Sequence, residues 1–189
     1  MGEVNIVVGL SGVGKGTVLE EAMLLADREY EVINYGDRML ETAKEEGLVD
    51  SRDELKELDS ETNRRIQKEA ADSIQEEAEE KDIIVDTHAA IKTPFGYLPG
   101  LPKWTVENLE PSKIIMLRAD PEAIWSRTQG DESRDREHES PADIREYQDV
   151  GHEMASTCAV LSGAFFKVID NEESKAEKAA EELVETLRG

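Results

Sequence analysis

The sequence predicts a three-layer α/β fold, a five-stranded parallel sheet flanked by helices. Five short apolar runs recur along the chain, at residues 4–9, 30–34, 82–86, 112–118 and 164–170. The third and fourth are nearly continuous in Ile, Val, Met and Leu, as strands covered on both faces must be. Between the runs lie stretches of helical apolar spacing, and alternation of strand with helix closes a parallel sheet. At 189 residues the chain fits one well-buried domain.

Taken in order, the first strand passes through a glycine-rich turn into a helix over residues 17–26, and the second strand follows at 30–34. A helix over 38–46 stops at Gly47, the residue type expected just past a helix end. Helical stretches then cover 52–58 and 62–80, with Asp59 or Ser60 as the cap of the longer one. The third strand is an Ile-Ile-Val run closed by Asp86, and residues 87–102, rich in Gly and Pro, read as an irregular loop. Ligands of open α/β sheets bind at such carboxyl ends. After the fourth strand, Asp120-Pro121-Glu122 starts a helix with a cap residue and a proline in its first turn, and Ser140-Pro141-Ala142-Asp143 repeats the device. That helix runs over 141–161 to Gly163, the fifth strand follows, and an amphipathic helix over 172–187 closes the chain.

Composition excludes several classes. Asp plus Glu number 44 against 22 Lys plus Arg, a net charge of −22. Such a surface repels phosphate backbones, so nucleic acid is not an expected partner. There is no apolar run long enough for a membrane span and no signal peptide, so a cytoplasmic protein without a membrane partner is expected. The acidic excess resembles the surfaces of halophilic proteins from high-salt cytoplasm, where screening suppresses self-repulsion; an ordinary acidic protein is the alternative. The lone Cys158, read as a core residue, rules out a cysteine-rich structural zinc site.

The chemistry begins at the turn. Gly9-Leu10-Ser11-Gly12-Val13-Gly14-Lys15-Gly16-Thr17 has the spacing of a phosphate-binding P-loop. Glycines free the backbone N–H groups to wrap a polyphosphate, the helix that follows turns its positive end toward the same anion, and Lys15 adds a point charge. The hydroxyl that usually follows the lysine as a magnesium ligand comes one residue later here, at Thr17, because Gly16 intervenes. Asp86, at the end of the third strand, is the acid expected to orient magnesium or its waters, with a helix-cap role as the alternative. Arg127, Arg134, Arg136 and Arg145 cluster around one charged segment. Guanidiniums gathered there suit a moving phosphoryl group, and a closing segment carrying them would expel water. Pairing with neighbours such as Asp135 and Glu137 is the competing reading.

The P-loop, with glycine directly after the lysine, resembles that of nucleoside monophosphate kinases. Val85-Asp86-Thr87-His88-Ala89-Ala90-Ile91-Lys92-Thr93-Pro94, followed by Gly96-Tyr97-Leu98-Pro99-Gly100-Leu101-Pro102, resembles the signature region of archaeal adenylate kinases, as do Asn34-Tyr35-Gly36 and Arg64-Arg65-Ile66-Gln67. The resemblance implies the reaction ATP + AMP ⇌ 2 ADP on a P-loop NTPase fold, with Mg2+ carried by ATP. It implies a helical NMP-binding insertion at about 36–75 and a short lid at about 128–141. It further implies cradle residues Gly9, Ser11, Gly12, Val13, Gly14, Lys15, Gly16 and Thr17, with Asn171 near the adenine or as a helix cap. Gly36, Arg38 and Lys92 would meet AMP, and Lys15, Arg127, Arg134 and Arg136 would act in catalysis. Magnesium would fall to Asp86 and Thr17, and a homotrimer is implied as well. UMP or CMP kinases, and an ATPase or nucleotide switch with water as acceptor, remain as alternatives. His88 is expected to be a hydrogen-bonded structural residue.

Overall fold

The computed structural model describes residues 2–129 and 140–189. In chain order these form β1 (Val4–Val8), α1 (Lys15–Leu25), β2 (Tyr30–Asn34), α2 (Tyr35–Glu45), α3 (Arg52–Glu57) and α4 (Ser60–Ala78). Then come β3 (Asp82–Thr87), β4 (Ala90–Thr93), β5 (Gly96–Pro99), α5 (Lys103–Leu109) and β6 (Lys113–Arg118). The last elements are α6 (Pro121–Gln129), α7 (Pro141–Ser162), β7 (Phe165–Asp170) and α8 (Ala176–Arg188). The expected five-stranded parallel sheet is present, in the order β2-β3-β1-β6-β7. Val8 is level with Thr87 on β3 and Met116 on β6, so the segments leaving these strands open along one edge.

Each sheet face has its own core. Val4, Ile6 and Val8 of β1 pack with Ala70, Ala71 and Ile74 of α4, Val106 and Leu109 of α5, and Ala155 and Cys158 of α7. On the other face Val7, Ile84 and Ile115 pack with Val18 and Leu19 of α1, Ile124 of α6, and Leu183 and Val184 of α8. Period-two alternation in strands sandwiched between helices requires apolar residues at nearly every position, which is why the runs read as continuous. A satellite cluster of Ala43, Val49, Leu55 and Ile66 holds α2, α3 and the start of α4 together apart from the sheet.

The helix ends follow the expected chemistry. Asp59 accepts from the N–H groups of Glu61 and Thr62, Asp120 from that of Glu122, and Ser140 from that of Asp143. Gly47 and Gly163 close α2 and α7 at φ +69° and +76°. Two readings are corrected. Residues 87–102 are not simply irregular, since β4 and β5 pair as an antiparallel hairpin whose turn is closed by Thr93 Oγ1 donating to the Gly96 carbonyl. The final helix starts at Ala176, not at residue 172, because the Glu172 carbonyl is taken by the Lys175 N–H in a turn and Ser174 sits at φ +61°. No helix among the described residues is long and apolar enough to cross a membrane.

Candidate active site at the carboxyl edge of the sheet

β1 ends at Val8, the chain turns over the sheet edge, and α1 begins at Lys15 with its amino terminus facing the enclosed space. Gly12 and Gly14 take φ of +85° and +90°, which side chains disfavour. A Cβ on Gly14 would also lie 2.6 Å from Asn171 Nδ2. At Gly16 a Cβ would meet nothing within 4 Å, so the position where the common motif carries Ser or Thr has room for the side chain it lacks. Thr17 next to it is exposed.

Lys15 Nζ lies 2.8 Å from Asp86 Oδ1. Asn34 Nδ2 donates to Asp86 Oδ2 at 3.3 Å, which ties the ends of β2 and β3 to the lysine. His88 Nδ1 is 2.8 Å from the Gly9 carbonyl oxygen; a carbonyl only accepts, so this nitrogen carries the hydrogen, in the structural role expected of it. Asn171 braces the turn from behind. Its Nδ2 donates to the Val13 carbonyl at 2.8 Å and its N–H to the Arg118 carbonyl at 2.7 Å. Its Oδ1 is sealed from solvent without a partner among the described residues, and the helix-cap alternative does not hold, since α8 begins with Lys175 at its cap position.

Arg127, late on α6, donates from Nη1 to the Gly12 carbonyl at 3.2 Å. With Ser11, Gly12, Gly14, Lys15, Gly16, Thr17, His88 and Thr128 it lines a cleft of about 490 Å³. Arg134 and Arg136, with most of the expected lid, lie outside the described residues. Arg145 is exposed on the first turns of α7.

The residues expected at the acceptor are more scattered. Gly36 lies in the first turn of α2, where a Cβ would come 3.3 Å from Arg52 Nη2; Arg52, which the sequence did not single out, pairs with Asp37. Arg38 is engaged by other groups: Nη1 donates to Ser73 Oγ at 3.0 Å and lies 2.6 Å from Glu77 Oε1, while Nε is 3.5 Å from Glu41 Oε2. Burial pushes the Glu77 carboxyl up, but Arg38 and Lys81 outweigh it and hold the group below the ordinary carboxylate range. Lys92 is exposed on β4 and has no ion-pair partner among the described residues. In a chain with twice as many acids as bases, a cation with no ion-pair partner among the described residues is available to an anion.

A larger open groove of about 940 Å³ lies at the opposite edge of the sheet, near Gly2, Arg28 and Lys81. Its cations are already taken, Arg28 by Asp82 and Lys81 by Glu31 and Glu77. Glu3, Glu29 and Glu80 add further negative charge, so an anion has nothing to hold it there.

A glycine turn over a parallel sheet, with a lysine at a helix start, a facing aspartate and an arginine on the rim, defines a P-loop kinase domain. Residues 8–145 match the family model described as an AAA domain. The chain is 48% identical to the adenylate kinase of Methanopyrus kandleri, over 100% of this chain and 99% of that one. It is 45% identical to the adenylate kinase of Methanocaldococcus jannaschii, over 98% of both chains. To that of Thermoplasma acidophilum it is 40% identical, over 97% of both. The chain belongs to the adenylate kinase family. Among solved structures, the shikimate kinase of Acinetobacter baumannii in complex with shikimate superposes with a TM-score of 0.62 at 17% identity, covering 100% of this chain and 94% of that one. A sugar kinase from Janibacter superposes with a TM-score of 0.54 at 18% identity, covering 100% and 95%; these two likenesses concern the fold alone.

Proposed function

We propose that the protein catalyses reversible phosphoryl transfer between adenine nucleotides, ATP + AMP ⇌ 2 ADP. The observation that carries this reading is the Lys15–Asp86 pair under the glycine turn with Arg127 on its rim. End-to-end relatives named adenylate kinase support the choice of nucleotides.

The chain's own groups do the positioning. The N–H groups of residues 12–17 and the amino end of α1 receive the β- and γ-phosphates of ATP, and Lys15 exchanges its partner Asp86 for them. An oxygen of the AMP phosphate attacks the γ-phosphorus in line, the bond to the β,γ-bridging oxygen breaks, and ADP leaves on each side. No side chain need take a proton, because the attacking phosphate is already an anion. Lys15 and Arg127 hold positive charge along the path, and one well-placed arginine contributes on the order of 10³-fold in rate. Arg134 and Arg136 extend that charge from the lid, and Lys92, with Gly36 and Arg38, receives AMP. Arg38 meets it with its Nη1 already engaged by Ser73 and Glu77.

The donor set fits magnesium. The Asp86 carboxylate is a hard oxygen ligand beside the cradle, and the exposed Thr17 hydroxyl adds a second oxygen. Bound with ATP, the ion would neutralise charge on the phosphate oxygens. We extend the proposal to a cytoplasmic enzyme of a high-salt cell and to a homotrimer; exposure of Val160, Leu161 and Phe165, at 83%, 54% and 77%, supports self-association.

The test is ATP and magnesium with AMP, UMP, CMP or no acceptor, scoring ADP and inorganic phosphate, with Lys15→Ala as control. ADP formed only with AMP supports the reading. A preference for UMP or CMP would move the acceptor to a pyrimidine, and phosphate release without an acceptor would replace kinase by ATPase.

A further inference from the structure

In the hairpin that carries Lys92, strand β4 has one edge paired with β5 and the other without a strand beside it. Gly100 N–H bonds the Ala89 carbonyl, so the hydrogen-bonded positions along the ladder are 89, 91 and 93, and the pairs Ala90↔Pro99 and Lys92↔Tyr97 are of the other kind. The main-chain groups of Ala90 and Lys92 therefore point away from β5, to the edge where a third strand would lie. One side chain takes that place. The Tyr147 hydroxyl, on the second turn of α7, accepts from the Lys92 N–H at 3.1 Å and donates to the Ala90 carbonyl at 3.0 Å. The Tyr147 ring also packs at 5.4 Å against that of Tyr97, the cross-strand partner of Lys92.

The residues on either side of Tyr147 anchor the same stretch of α7. The Glu146 carboxylate accepts from the Tyr97 hydroxyl at 3.3 Å. The buried Gln148 amide bonds both the N–H and the carbonyl of Ala119, each at 3.0 Å, at the turn that leads into α6 and Arg127. The start of α7 is thus fixed on one side to the strand bearing Lys92 and on the other to the approach of Arg127.

We propose that Tyr147 is a positioning residue for the acceptor phosphate: its hydroxyl stands in for a neighbouring strand along β4 and so holds the backbone from which Lys92 reaches AMP. This rests on Lys92 being a cation for that phosphate. Phenylalanine at 147 keeps the ring volume and the contact with Tyr97, so a purely space-filling role is served equally well by either residue. Removal of the hydroxyl leaves one N–H and one carbonyl unpaired on the residues that set the position of Lys92.

The experiment is a kinetic cycle of Tyr147→Phe, Lys92→Ala and the double variant, with hydrogen exchange of the Lys92 amide in the unliganded protein. Tyr147→Phe is expected to raise KM for AMP roughly tenfold, to leave KM for ATP unchanged and to speed exchange at Lys92. Added to Lys92→Ala it should change KM for AMP no further. If Lys92→Ala raises KM for AMP while Tyr147→Phe does not, or if the two effects add, the positioning role is overturned and the acceptor reading stands. If Lys92→Ala itself leaves KM for AMP unchanged, the acceptor reading fails and the positioning role falls with it.

Discussion

Asn5 shows what a single residue can cost in this sheet. It lies second in β1, the central strand of the sheet, fully buried, and neither its Nδ2 nor its Oδ1 has a hydrogen-bond partner among the described residues. An unpaired buried amide carries its whole desolvation penalty, whereas a β-branched apolar residue of similar size suits a covered strand. Asn5→Val should stabilise the fold by about 1–2 kcal/mol, read as a higher urea midpoint at unchanged slope; a lower midpoint would mean that the amide has a partner in solution. The same scale separates legible from illegible site residues. Gly12, Gly14, Lys15 and Asp86 could be read from the sequence because their roles follow from local spacing. The pairing of Arg38 could not, because its partner Glu77 lies 39 positions away on another helix. Nothing local in the sequence marks Tyr147, and only the outer edge of β4, 55 residues earlier, gives its hydroxyl a task.

At the scale of elements, the acceptor side proposed above is a small helical unit of α2, α3 and the start of α4 with its own core. Its longest helix is capped by Asp59, whose carboxyl is held below the ordinary aspartate range first by the Thr62 hydroxyl and then by the Thr62 and Glu61 amides. A depressed carboxyl stabilises the folded state above its unfolded pKa and loses that contribution as pH falls through the folded value. The start of α4 should therefore fray only as the pH falls past the depressed Asp59 carboxyl, below the ordinary aspartate value of about 3.9, seen as faster amide exchange at Glu61 and Thr62, and Asp59→Asn should cap without this pH dependence. The helix caps were legible because Ser, Asp and Pro act within a single turn. The β4–β5 hairpin was not, since Pro94, Gly96, Pro99 and Gly100 are equally the composition of a loop, and its free edge is satisfied from α7 rather than by another strand.

For the whole molecule, the charge of −22 opposes compactness wherever screening is weak. Charges interact over about 10 Å at 0.1 M salt but only about 3 Å at 1 M. The melting temperature and activity should accordingly rise from about 50 mM to molar KCl; equal values at both would remove the high-salt reading and leave an ordinary acidic enzyme. Whether one cleft brings two adenine nucleotides together is decided by supplying ADP and magnesium alone and following every adenine nucleotide by chromatography. ATP and AMP should form in equal amounts, at a rate abolished by Lys15→Ala. ADP left intact by folded protein in molar KCl, or AMP accumulating with inorganic phosphate and without ATP, would contradict it.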